Sequence, residues 1–244
     1  MILHHEGIIL QKGYEALEAV SLKEQTSTRA LFRTLAGDLE VTGHARGILR
    51  MRFLPVQQQP DYGILQAQTE DLPLSVTGTA EGWRVRSGDV ALEILSGPLR
   101  VRFYHGDRLL LQSSTDRTIE GHLRFSPFAR RQDSWLVALA LGVEEPVYGL
   151  GEKWAALNRR GQLIHSWNED ATTVNSELSY KNTPFAWSSN GWACLSIRPR
   201  RLRTAWGTRS GRTAAISCRC STRSWTSSGL LPTARRRSSN ATLT

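Results

Sequence analysis

The sequence predicts an all-β protein built as an antiparallel β-sandwich, and two observations carry that prediction. Short runs of alternating apolar and basic residues recur between Ala30 and about Val143, among them Leu49-Arg-Met-Arg-Phe-Leu54, Trp83-Arg-Val-Arg86 and Leu99-Arg-Val-Arg-Phe103. Period-two alternation marks strands with one face in a core and the other in solvent. Turn residues separate the runs: Gly37-Asp38, Gly88-Asp89, Ser96-Gly97-Pro98 and His105-Gly106-Asp107. Together they imply about ten strands, which one domain can close around a single core.

Taken in order, residues 1–30 form a lead-in segment with an apolar start, in which Tyr14, Leu17 and Leu22 can line one face of a short helix. His4 and His5 are adjacent and would point to opposite faces of a strand, so an exposed, unliganded pair is expected. Residues 31–194 hold the sandwich. Within it Val90, Leu92 and Ile94 share one face, and Arg50, Arg52, Arg84, Arg86, Arg100 and Arg102 lie on outward faces. Those arginines could form a phosphate-binding stripe, but Asp38, Glu40, Asp71, Glu81, Asp89 and Glu93 are interspersed, which favours a mixed solvated face. His105, His122 and His165 have no carboxylate, Ser or Cys partner at an interpretable spacing and read as structural. Glu144 and Glu145, before Pro146, read as solvated.

The stretch from Tyr148 to Trp192 is the densest in unusual residues. Glycines at 149, 151, 161 and 191 ask for tight turns or close approaches, and Trp154, Trp167, Trp187 and Trp192 sit between them. Asn168, Glu169 and Asp170 follow one of these tryptophans directly. An aromatic face beside short polar acceptors suits sugar recognition, because C–H faces stack on a ring while hydroxyls need directed acceptors. The Gly149-Leu-Gly151 pattern lacks the third glycine and the strand–helix setting of a dinucleotide site. It reads instead as a corner leading out of the sandwich, with Glu152 a partner for Arg159 or Arg160.

Four words in this stretch, YGLGEK (148–153), LNRRGQ (157–162), SWNED (166–170) and YKNTPF (180–185), occur in close order. In this the chain resembles the end of the N-terminal β-sandwich domain of glycoside hydrolase family 31, the α-glucosidase and α-xylosidase family. The resemblance covers roughly residues 40–192. It implies a galactose-mutarotase-like supersandwich whose loop projects over the active site of a separate (β/α)8 barrel. It also implies that Asp170 reaches the leaving-group side of a sugar, with Trp167 and Asn168 beside it as substrate-binding residues. The plainer alternatives remain open: an aromatic anchor followed by an Asx-type turn, with Trp167 packing the loop. Tyr180 and Phe185 are expected to key a returning strand onto the core, and Lys181 and Asn182 to brace the 166–170 loop. The WNEDATT form (167–173) looks closer to α-xylosidase members.

A barrel needs at least ~200 residues, and only 52 follow Trp192 in this 244-residue sequence. Retaining hydrolysis needs two carboxyl groups about 5–5.5 Å apart, and the family carries both on the barrel. No catalytic residue is therefore assigned here, and no metal or cofactor is expected. The expected partner is an α-linked oligosaccharide, an α-xyloside or an α-glucoside, met through that barrel; a homo-oligomer is open for the intact enzyme. An α-glucosidase or transglucosylase parent and a stand-alone carbohydrate-binding module are the alternatives.

Residues 195–244 differ in kind. They contain eleven Arg and no Lys, Asp or Glu, whereas the other 194 residues carry 20 basic and 22 acidic groups. The net charge of +9 thus belongs to the tail, which argues against nucleic acid as partner of the domain. The tail also lacks Phe, Tyr and Val, so it is expected to be disordered or poorly packed, and a shifted reading frame would explain the break. An arginine-rich RNA-binding or membrane-binding tail is the alternative. Cys194, Cys218 and Cys220 show no zinc-ligand spacing. With no leader and no apolar run of ~18 residues, a cytoplasmic protein away from the membrane is expected.

Overall fold

The computed structural model describes residues 13–18, 20–54, 72–115, 126–132, 134–170, 179–197, 202–206, 213–219 and 226–232. The chain forms β1 (Glu15–Ala16), β2 (Ser21–Gln25), β3 (Arg29–Thr34), β4 (Gly37–Ala45), β5 (Ile48–Leu54), β6 (Ser75–Thr79), β7 (Gly82–Ser87), β8 (Val90–Leu95) and β9 (Arg100–His105). It continues with β10 (Arg108–Ser113), β11 (Phe128–Arg131), β12 (Ser134–Ala140), β13 (Val147–Gly149), β14 (Leu163–Ser166), β15 (Phe185–Ser188), β16 (Trp192–Ser196), β17 (Leu202–Trp206), β18 (Thr213–Arg219) and β19 (Thr226–Pro232). No helix occurs among the described residues.

Two sheets result. The larger follows the order β14-β17-β18-β12-β10-β9-β8-β7-β6, with β11 also on β12 and β1 on β11; the smaller follows β13-β15-β16-β19-β5-β4-β3-β2. Hairpins dominate because the short Gly-containing turns hold sequence neighbours together, as in β7–β8 and β8–β9.

Alternation decides which side chains meet between the sheets. In β5, Leu49, Met51 and Phe53 are buried while Arg50, Arg52 and Leu54 stay half-exposed. Phe53 stacks on Trp135 of β12 at 4.7 Å and lies 6.4 Å from Phe128 of β11. Farther along, Phe32 of β3 meets Trp83 of β7 at 5.7 Å. Each fully buried side chain of this size contributes about 1.5–3 kcal/mol, so these cross-sheet contacts hold the sandwich shut.

Arg52, Arg84 and Arg102, three of the six outward arginines, pair with carboxylates. Arg52 stands opposite Glu40 in the β4–β5 register and donates from Nε and Nη2 to its Oε2 at 2.9 and 2.6 Å. Glu93 lies between Arg84 and Arg102 on the flanking strands, at 3.4 and 3.5 Å, and accepts the Tyr104 hydroxyl at 3.0 Å. Burial first, and the Glu93 hydrogen bond next, raise the Tyr104 pKa. These are the pairs of a mixed solvated face, each worth about 0–1 kcal/mol.

Two expectations need correction. No helix forms around Tyr14 to Leu22: Glu15–Ala16 pairs with β11 and Ser21–Gln25 with β3, so this part of the lead-in joins both sheets. Backbone pairing there outweighs a loose helical period. Glu145 is not solvated but buried; its carboxylate accepts Trp192 Nε1 and the Gly142 amide, both at 2.6 Å, while Glu144 stays exposed. In the tail, β17 and β18 lie in the larger sheet and β19 in the smaller. Main-chain pairing requires only N–H and C=O groups, not the aromatic and valine residues the tail lacks. The rest of the tail, its side chains apart from those of residues 195–197 and Thr204, and His4, His5 and His122 lie outside the described residues.

Candidate functional site

The four sequence words fold into one assembly, and its hinge is the glycine corner after β13. Gly149, Leu150 and Gly151 have φ of 100°, 66° and 82°, all left-handed. Leu150 accepts that conformation with its side chain buried in the core. The glycines are needed because the returning segment runs against them: a Cβ on Gly149 would fall on the Phe185 carbonyl, and one on Gly151 on the Lys181 carbonyl. Two hydrogen bonds close the approach, Leu150 N to Phe185 O and Glu152 N to Lys181 O, both 2.8 Å. Beside them Tyr148 and Trp187, opposite each other in the β13–β15 register, bring their rings within 4.7 Å.

The second word ties down the loop that follows. Arg159 is buried, which draws its pKa below the ordinary arginine value, and it donates to the carbonyls of Ala156, Gly149 and Gly151 at 3.0, 3.1 and 3.4 Å. Asn158 Oδ1 accepts from the amides of Val147 and Arg160. Arg160 donates to the carbonyls of Gly142 and Glu145 at 3.1 and 3.2 Å. Glu152 meets neither arginine; its partner is Lys181, at 3.7 Å and largely exposed. The corner carbonyls of Gly149 and Gly151 take Arg159 instead, and those of Gly142 and Glu145 take Arg160.

Residues Trp167 to Asp170 leave β14 as an exposed strip. An isolated bridge joins Asn168 to Ser179, and Glu169 N donates to Ser179 O at 3.1 Å. Asn182 does most of the fastening. Its Nδ2 donates to Trp167 O at 2.7 Å and to Asn168 Oδ1 and Ser179 O at 3.0 Å, while its own amide donates to Asn168 Oδ1 at 2.9 Å. Lys153 Nζ adds a bond to His165 O at 2.8 Å. The bracing expected of Asn182 is thus present, whereas Lys181 contributes mainly its carbonyl.

The structure brings the three sequence-predicted site residues together on this strip. Asp170 and Asn168 are exposed, and Trp167 keeps 41% of its surface open. The Asn168 side-chain oxygen is committed to Asn182, which leaves its amide group as a donor. Asp170, first as a hydrogen-bonding group and then through its charge, raises the Tyr180 pKa, a link that sequence reasoning missed. Expected to key a strand onto the core, Tyr180 is 52% exposed instead. Among the described residues no three His, Cys, Asp or Glu side chains cluster to hold a metal ion. The arrangement offers directed acceptors and donors beside an aromatic face.

The profile described as "Glycosyl hydrolase 31 N-terminal galactose mutarotase-like domain" matches residues 38–199. The α-xylosidase XylQ of Lactiplantibacillus pentosus is 33% identical over 121 residues, 48% of this chain and 15% of that protein. An α-xylosidase of Emericella nidulans is 38% identical over 98 residues, 40% of this chain and 12% of that protein. The chain therefore spans less than a sixth of either relative along the matched segment. Among solved structures, the GH31 dextranase of Flavobacterium johnsoniae complexed with glucose superposes with a TM-score of 0.72 at 16% identity, over 88% of this chain and 26% of that one. A GH31 α-xylosidase from a soil metagenome complexed with xylose gives 0.67 at 17% identity, over 86% and 32%. These likenesses carry the fold.

Proposed function

Since the chain belongs to the glycoside hydrolase family 31 N-terminal galactose mutarotase-like domains, we propose that it forms one wall of the sugar site of an α-glycosidase. The acid and nucleophile of the retaining reaction come from polypeptide outside this sequence. Its own contribution is binding, through Asp170, Trp167 and Asn168. The observation that carries this reading is the exposed Asp170 carboxylate, one residue beyond a backbone strip that Asn182 clamps, with a half-open tryptophan on the same strip. A carboxylate accepting a sugar hydroxyl contributes about 1.5–3 kcal/mol. The pairing of Arg52, Arg84 and Arg102 with Glu40, Glu81 and Glu93 supports an uncharged ligand over a polyanion. An α-xyloside is the first substrate class to examine, because both curated relatives are α-xylosidases.

The test is a ligand-observed NMR titration of the 244-residue chain with methyl α-xyloside and with maltose. One wall without its opposite binds weakly, so saturation in the millimolar range is expected, with Asp170→Ala weakening it about tenfold or more. A nitrophenyl α-xyloside should remain uncleaved. Hydrolysis by this chain alone, or binding indifferent to Asp170→Ala, would overturn the proposal.

A further inference from the structure

We propose that Trp154 and Leu157, with Trp187 on the adjoining pair of strands, form the surface on which this domain docks the catalytic barrel of its parent enzyme. The occupant rests on the reading above, in which the chain is one wall of a sugar site; the surface itself does not.

Among the described residues Leu157 is the most exposed large apolar side chain, 79% open, and Trp154 the most exposed aromatic, 72% open. Their loop is not slack. It leaves β13 at the glycine corner and returns to the same strand, where Arg159 N donates to Val147 O at 2.7 Å and Val147 N to Asn158 Oδ1 at 3.2 Å. Between those ends Arg159 Nη1 and Gln162 Nε2 both donate to Ala156 O at 3.0 Å, Gln162 Nε2 donates also to Asn158 O at 2.8 Å, and Ala155 N donates to Lys153 O at 2.8 Å. The carbonyls on either side of Leu157, and the one before Trp154, are therefore tied. Two large apolar groups are held in water in fixed places, which is unfavourable for the chain alone. Such pre-ordering lowers the entropy cost of docking, and a fixed tryptophan is the kind of anchor that dominates protein interfaces.

The chemistry of this surface suits protein better than sugar. Leu157 has no ring face to stack on, and the Trp187 ring already lies 4.7 Å from that of Tyr148. The polar groups nearby are engaged within the domain: Lys153 on His165 O, Arg160 on Gly142 O and Glu145 O, and Glu152 with Lys181. Hydroxyls would find few directed partners there. Two facts point to the occupant. The matched segment is 15% of one curated relative and 12% of the other, so most of each polypeptide lies outside it. The surface also continues into the strip that carries Trp167 and Asp170, because the two residues before Trp154 reach it: Glu152 N bonds Lys181 O and Lys153 Nζ bonds His165 O. A barrel seated on Trp154 and Leu157 is thereby brought up against the strip.

The test is co-expression of the 244-residue chain with the polypeptide that follows the matched segment in the Lactiplantibacillus α-xylosidase, then affinity capture through the chain. That polypeptide should be recovered soluble and bound, and Trp154→Ser combined with Leu157→Ser should cut its recovery about tenfold or more. Leu35→Ser is the control: its side chain is as exposed, but it lies between β3 and β4, across the smaller sheet from β13, and recovery should not change. Because Trp154 and Leu157 lie in solvent, the double variant should keep the urea midpoint of the unaltered chain. Barrel polypeptide that stays insoluble or unbound beside the unaltered chain overturns the inference, as does recovery that the double variant leaves intact. A lowered urea midpoint overturns it too, since the two side chains would then serve the fold. If sedimentation equilibrium shows a dimer that the double variant abolishes while capture persists, the occupant is a second copy and the inference falls. If capture depends on Trp154 and Leu157 but the unaltered chain binds neither methyl α-xyloside nor maltose, the sugar reading fails and the docking surface stands.

Discussion

Replacing Gly151 by alanine puts a methyl group where the chain has left no room. The residue has φ of 82°, which costs an L-amino acid about 1–2 kcal/mol. Its new Cβ would fall on the Lys181 carbonyl and lie 2.7 Å from both Asn182 Cα and Thr183 N. These are backbone atoms, so no rotamer change relieves the overlap and the 181–183 segment must move away. Doing so breaks the Glu152–Lys181 hydrogen bond and stretches the Leu150–Phe185 bond beside it, each worth about 0.5–1.5 kcal/mol. The sum is about 2–5 kcal/mol. Gly88→Ala is the matched control, because its φ is also positive, 57°, while its Cβ would meet nothing within 4 Å; it should lose only about 1–2 kcal/mol. Urea unfolding followed by tryptophan fluorescence gives both values, and amide exchange at Glu152 and Asn182 reports the local opening. If the two variants lose stability to within about 0.5 kcal/mol of each other, the close approach of the two words is not what Gly151 serves.

Two further tests address the buried Trp192–Glu145 pair and the partly buried Cys194. Trp192→Phe removes the Nε1 donor from the buried Glu145 carboxylate and should cost about 2–4 kcal/mol from lost packing and an underpaired charge; a double-mutant cycle with Glu145→Gln should show coupling of about 1 kcal/mol or more, and additive losses would contradict the pair. Burial pushes the Cys194 thiol up to about 12 from an ordinary 9, so folding favours the protonated thiol, and that stabilisation is complete below pH 9 and lost as pH rises toward 12. In a chain with Cys218 and Cys220 changed to serine, Cys194 should resist alkylation at pH 8 until unfolded, and the urea midpoint should fall between pH 9 and 10.5 more steeply than in a Cys194→Ser chain; equal slopes would refute it.

Local pattern made the strands legible. The alternation of residues 48–54 predicts which side chains of β5 are buried, and Gly88-Asp89 and Gly106-Asp107 form turns as read, whereas Gly37-Asp38 opens β4 after a turn at Leu35-Ala36. The four words of the site were readable as words, and Trp167, Asn168 and Asp170 do share one exposed strip. What stayed hidden were contacts between residues distant in sequence. Glu145 reads as one of two solvated acids because its partner Trp192 is far along the chain. Glu152 reads as a match for nearby Arg159 or Arg160, yet both arginines donate to backbone carbonyls and Lys181 stands across from Glu152. Tyr180 reads as a core aromatic by residue type, and only the fold shows it half-exposed. Residue type sets what a group can do, while the sheet register decides whom it meets.

The strand order bears on how such a molecule is made. In the smaller sheet β19 separates β5 from β16, and in the larger sheet β17 and β18 separate β14 from β12. A nascent polypeptide paused after Ser196 already contains residues 167–170 and the segments that clamp them, but its sheets would have a slot about 10 Å across in one and wider still in the other. The part that looks most expendable by composition is therefore the one whose strands fill both slots, and it is synthesised last.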